Sequence, residues 1–141
     1  MKMNKKLIKA LSDFYSQLDR HIAQNQEIMG LCQACGRCCD FEKYDHRLYI
    51  TTPELIYFLE NIPHENRKQM TTGSCPYNIN GKCTVYEYRF AACRIFCCNG
   101  DQDFQNNLSE TSLQKLKNIC KQFNLEYKYQ NLTTALNEPA R

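Results

Sequence analysis

Cys32, Cys35, Cys38 and Cys39 fall within the eight residues CQACGRCC, and four more cysteines follow in Cys75-Pro76, Cys83 and Cys93-Arg94-Ile95-Phe96-Cys97. Sulfurs gathered this closely cannot all pack as small hydrophobes. They are shared by a soft metal, oxidised to disulfides, or left as thiolates that repel one another. The spacing Cys32-x2-Cys35-x2-Cys38 matches the first three ligands of a ferredoxin-type iron–sulfur run, and Cys75-Pro76 or Cys93 can bring the remote fourth. Zinc uses the same residues differently: a CxxC knuckle supplies one edge of a tetrahedron and a second pair completes it. Cys32 and Cys35 would then join Cys75 and Cys83, leaving Cys38, Cys39, Cys93 and Cys97 for another ion. Eight thiolates suffice for two mononuclear sites or for one cluster and one zinc, and spacing does not choose between them.

The pattern extends beyond any one ligand set. CxxCGxCC, then Cys75-Pro76, then Gly81-Lys82-Cys83-Thr84-Val85-Tyr86, then Arg89-x3-Cys93-Arg94-x-Phe96-Cys97, resembles the YkgJ-type CxxCxxCC cysteine-cluster family, described as zinc- or iron-chelating proteins. The resemblance spans Cys32 to Cys97, about half the chain. It implies the metal ligands Cys32, Cys35, Cys38, Cys39, Cys75, Cys83, Cys93 and Cys97. The family has proline after the arginine at position 89 and before the last cysteine, where this chain has Phe90 and Phe96. Flagellin lysine methylases are similar in the same cysteine motif and carry an iron–sulfur cluster, which favours [4Fe–4S] for at least one site. Their methylase activity does not carry over, because no glycine-rich strand-to-helix loop for S-adenosylmethionine is present.

Composition limits the alternatives. At 141 residues, with no shift in composition, the chain reads as one cysteine-cluster metal-binding domain over 1–141. Hydrophobic residues make up 43%, Trp is absent and mean hydropathy is −0.62, so metal binding would add useful folding energy to a modest core. The net charge of +3 counts every thiol as neutral, and it disfavours nucleic acid as a partner. Arg37, Lys82, Arg89 and Arg94 lie beside cysteines in sequence and can offset a thiolate-rich centre. Lys9 and Asp13 interrupt any apolar signal-peptide core, and no run approaches the ~18 apolar residues of a membrane span. These features suggest a cytoplasmic protein away from the membrane, where thiols stay reduced and disulfides are disfavoured.

Helices must position these thiols. Leu7, Leu11, Phe14, Leu18 and Ile22 repeat every three or four residues, predicting an amphipathic helix over 4–29 that stops at Gly30. The cysteine core over 32–98 follows. Within it, Leu48-Tyr49-Ile50 suggests a short strand, and Thr51 or Thr52 with Pro53 opens a helix to about Asn61, broken by Pro63. A further helical piece is expected over 65–70. Asn80-Gly81 predicts a β-hairpin from about Gly73 to Val85 with Cys75 and Cys83 on its arms, and a helical turn then delivers Cys93 and Cys97. A C-terminal helix is expected over 109–123, with Leu113, Leu116, Cys120 and Phe123 on one face. The tail over 131–141 reads as loose helix or disorder. The expected fold is therefore small and mainly α, with helices around a cysteine-ligated metal centre and one short hairpin.

Other candidates have plainer readings. Cys98 is an alternative ligand to Cys97, while Cys120 falls on an apolar helix face as a core thiol. His46, beside Asp45, reads as a surface residue because no second histidine stands at ligand spacing, and so do His21 and His64. Tyr77, Tyr86, Tyr88, Phe90 and Phe96 either shield a cluster from water or form an ordinary hydrophobic wall. The leading expectation is a metal-chelating protein holding an iron–sulfur cluster ([4Fe–4S]), Zn²⁺, or both. The competing classes are an iron–sulfur redox or accessory enzyme linked to protein modification, and a zinc-stabilised module for a protein partner. Whether the chain is an enzyme is left open.

Overall fold

The computed structural model describes residues 2–29, 49–70, 75–79, 82–95 and 101–137. Described elements run α1 (Lys2–Gln24), α2 (Gln26–Met29), β1 (Tyr49–Thr51), α3 (Thr52–Asn61), β2 (Asn78–Ile79), β3 (Lys82–Cys83), α4 (Ala91–Ile95), α5 (Gln102–Gln122), β4 (Tyr129–Asn131) and α6 (Leu132–Asn137), with short 3-10 turns at His64–Asn66 and Tyr86–Tyr88. The architecture is mainly helical, as the periodicity predicts. The hairpin is also present: β2 and β3 pair antiparallel with Asn78 opposite Cys83 and Ile79 opposite Lys82. A second pairing was not anticipated. β1 and β4 form an antiparallel ribbon with Tyr49 opposite Asn131 and Thr51 opposite Tyr129, and the rings of Tyr49 and Tyr129 stack at 5.1 Å.

Two apolar clusters meet along α3. Leu55, Phe58 and Ile62 face one cluster with Ile50, Met70, Tyr77, Phe90 and the buried residues of α6. Tyr57 faces the other, built from Leu7, Leu11, Phe14, Tyr15 and Leu18 of α1 with Ala91, Ile95 and Leu116. The apolar stripe of α1 therefore does what its spacing predicts: it buries against α3, α4 and α5.

Several boundaries differ from expectation, each for a local reason. The first helix breaks at Asn25, whose side-chain amide donates to the His21 carbonyl at 2.8 Å and competes with the helical ladder. α5 starts at Gln102 rather than 109, because the Asp101 carboxylate accepts the Phe104 amide at 2.8 Å as an N-cap. It ends in a tight αL turn: Asn124 has φ 55°, and the Leu125 amide returns to the Cys120 carbonyl at 2.8 Å.

The expected helical piece over 65–70 is only a single 3-10 turn. The Lys68 amide donates to the Tyr77 hydroxyl at 2.8 Å and the Met70 amide to Asn137 Oδ1 at 2.7 Å, so other elements claim donors a helix would use. Asn137 also donates to the Met70 carbonyl at 3.0 Å. The tail expected to be loose is thus helical from Leu132, capped by the Asn131 side chain and packed through Leu132, Ala135 and Leu136. Among the described residues no helix is long and apolar enough to cross a membrane.

Candidate functional site

Of the eight expected ligands, Cys75, Cys83 and Cys93 are described. Cys32, Cys35, Cys38, Cys39 and Cys97 lie outside the described residues, as do Cys98, His46, Arg37 and Phe96. The three described cysteines are all partly buried.

Local folding sets their places. Cys75 is not on a hairpin arm but in the turn that leads into it, where its carbonyl accepts the Asn78 amide at 3.1 Å. Cys83 lies on β3, in register with that same Asn78. The two cysteines therefore share one end of the hairpin. The chain holds this end by Thr84, whose amide and hydroxyl both donate to the Tyr77 carbonyl at 2.8 and 2.6 Å. Cys93 is carried by α4, and its carbonyl accepts Arg89 Nη1 at 3.4 Å. Cys75 and Cys93 both pack on the core cluster of Phe58, Tyr77 and Phe90. Even so, no group of three or more His, Cys, Asp or Glu side chains able to hold a metal is found among the described residues.

The aromatic wall is real in part. Tyr77 and Phe90 are buried, with Phe58 edge-on to Tyr77 at 5.2 Å and tilted against Phe90 at 4.9 Å. Tyr88 is half-buried, whereas Tyr86 is exposed beneath the Arg89 guanidinium at 3.7 Å. Burial pushes the Tyr77 phenol above its ordinary pKa; the Lys68 amide bond opposes this and the nearby Cys75 sulfur adds to it. Phe90 replaces the proline of the resembled pattern and fills the core between hairpin and α4.

The arginines divide. Arg89 stays beside Cys93. Arg94, expected to offset the centre, is instead spent on the fold: it pairs with Asp19 at 2.7 Å, donates to the Arg89 and Glu87 carbonyls at 2.8 and 3.0 Å, and lies over the Tyr15 ring at 4.0 Å.

One polar group escaped the sequence reading. Glu54 is 2% exposed, and both its carboxylate oxygens are engaged. Oε1 accepts the Thr51 hydroxyl at 2.9 Å and the Thr51 amide at 3.3 Å; Oε2 accepts the Tyr15 hydroxyl at 3.0 Å and the Ala91 amide at 2.5 Å. Burial raises the Glu54 pKa against the pull of these donors, and burial with the Glu54 charge raises Tyr15. The Thr51-x-x-Glu54 spacing of a capping box was the available signal. Its reach to Ala91, at the start of the cysteine-bearing α4, was not.

Cys120 is 2% exposed and burial raises its pKa, as a core thiol requires. His21 and His64 are exposed, as expected. No protein-family model, curated protein or solved structure matches this chain.

Proposed function

We propose that this chain is a metal-chelating protein that binds an iron–sulfur cluster of the [4Fe–4S] type through cysteines drawn from Cys32, Cys35, Cys38, Cys39, Cys75, Cys83, Cys93 and Cys97. One contact carries the reading beyond spacing. The Asp101 amide donates to the Ile28 carbonyl at 2.8 Å, joining the start of α5 to α2. Cys32 lies four residues after Ile28 and Cys97 four before Asp101. Four residues reach at most about 14 Å, so chain length alone limits how far Cys32 and Cys97 can stand from the α2–α5 junction, which supports a shared centre. Cys97 is in turn only two residues past α4, which carries Cys93.

When bound, an all-cysteine cluster supplies one-electron redox capacity and folding energy. The chain's own residues do the rest. Glu54 holds the first turn of α4, Phe58 and Phe90 exclude water behind Cys75 and Cys93, and Thr84 fixes the hairpin end that bears Cys83. Such thiolates persist in a reducing cytoplasm, which is the proposed location.

The test is elemental. Protein purified without oxygen should absorb broadly near about 400 nm and contain iron with acid-labile sulfide in matching amounts. About two zinc ions per chain with neither iron nor sulfide would make zinc the occupant and remove the cluster. Absence of all three would end the metal reading. Replacing Cys35 by Ser should abolish metal retention and lower the folded yield.

A further inference from the structure

We propose that the groove between α1 and α5 binds a small organic anion with a flat apolar body. The groove encloses about 580 Å³, a size typical of small-molecule sites. Its floor is apolar: Phe14 and Leu18 from α1 face Phe104 and Leu108 from α5. Aromatic rings border the slot from both helices: His21 of α1 stacks on Phe104 of α5 with centroids 5.9 Å apart and planes 10° apart. A flat ligand body matches the shape of these rings.

The lip selects charge. Arg20, His21 and Lys115 line it, and no Asp or Glu lines it among the described residues. Asp19, next to Arg20, is committed to Arg94 at 2.7 Å, and Asp13, Asp103 and Glu110 adjoin lining residues in sequence without lining the groove themselves. Asp13 pairs with Lys9 at 3.3 Å. Arg20, Lys115 and the His21 ring thus border an apolar slot whose lining holds no carboxylate, which suits a carboxylate, sulfonate or phosphate at the mouth and a ring system within.

The experiment compares two dyes that differ by one sulfonate group. The full-length protein is titrated with 1-anilinonaphthalene-8-sulfonate and with its uncharged parent, N-phenyl-1-naphthylamine, following fluorescence. We expect one saturable site that prefers the sulfonate by about tenfold or more, the scale of a charged contact. The paired substitution Arg20→Ala and Lys115→Ala should remove that preference, and Thr111→Trp, at an exposed lining position, should block both dyes. Equal affinity for the two dyes, no saturable binding, or an unchanged preference in the Ala pair would each overturn the assignment. None of these variants touches a cysteine, so their metal content should match the parent protein whatever the dyes do.

Discussion

The Glu54 carboxylate accepts the backbone amide of Ala91, so a side chain of α3 caps the helix that presents Cys93. A buried acid is costly unless every lone pair is used. Here two amides and two hydroxyls surround it, and Arg94 lies over the ring of one of those donors, Tyr15. The carboxylate of α3 joins α1, β1 and α4 at one point, which makes it a polar keystone for these elements.

Replacing Glu54 by Ala should therefore destabilise the protein by about 3 kcal/mol, because the Thr51 and Ala91 amides cannot turn to other acceptors. Glu54→Gln keeps the shape but points an amide at donors, and should cost about 1–2 kcal/mol. Tyr15→Phe removes one donor and should cost about 1 kcal/mol. Urea unfolding of the three variants checks the order; an Ala variant as stable as the Gln variant would contradict it.

The same acid sets a pH dependence with a definite sign. Burial raises the folded pKa of Glu54 above its ordinary 4.5. As pH climbs past 4.5 the unfolded chain ionises first, so it binds fewer protons than the native state and stability falls until the folded value is passed. The stability of the parent relative to Glu54→Gln should be greatest in acid and decline with rising pH. Paired urea titrations measure this difference, in which the other titrating groups cancel. A difference that grows with pH would reverse the sign and refute the burial argument.

Arg94 and Asp19 should not be equivalent partners. The Arg94 side chain is 5% exposed and the Asp19 side chain 48%. Losing Arg94 to Ala leaves the Arg89 and Glu87 carbonyls without their guanidinium donor and strips the Tyr15 face, a loss of about 2–3 kcal/mol. Asp19→Ala should cost about 1 kcal/mol or less, since solvent screens a half-exposed carboxylate. Thermal unfolding of both variants at moderate salt decides it.

Two cysteines offer an internal contrast. Cys120→Ser buries a hydroxyl where a thiol sat among apolar neighbours, and should lower stability by about 1–2 kcal/mol while leaving metal content unchanged. Cys93→Ser should lower metal content. Metal analysis of both variants, beside their unfolding midpoints, separates a packing thiol from a ligand.

Much of the fold was legible from local pattern. The recurrence of Leu7, Leu11, Phe14 and Leu18 defines α1, and Asn80-Gly81 announces the β2–β3 hairpin, because both signals act within a few residues. The α5 start was misplaced for a related reason: Asp101 is a strong N-cap, but the polar run after it hid the periodicity that begins only further along. The ribbon of β1 with β4 and the docking of α6 were not legible. Thr52 and Lys128 bond across 76 positions, and no local period records so distant a pairing.

For the candidate site the division is sharper. Thiol chemistry follows from side-chain type and close spacing along the chain, which covalent geometry preserves in any conformation; the run from Cys32 to Cys39 has that character before it folds. The burial of Glu54, the diversion of Arg94 from the cysteines to Asp19 and Tyr15, and the meeting of Ile28 with Asp101 belong to the folded state alone. Each joins residues from separate helices. Their energy comes from solvent excluded between those helices and from donors and acceptors matched across the gap, terms that do not exist until the chain has packed.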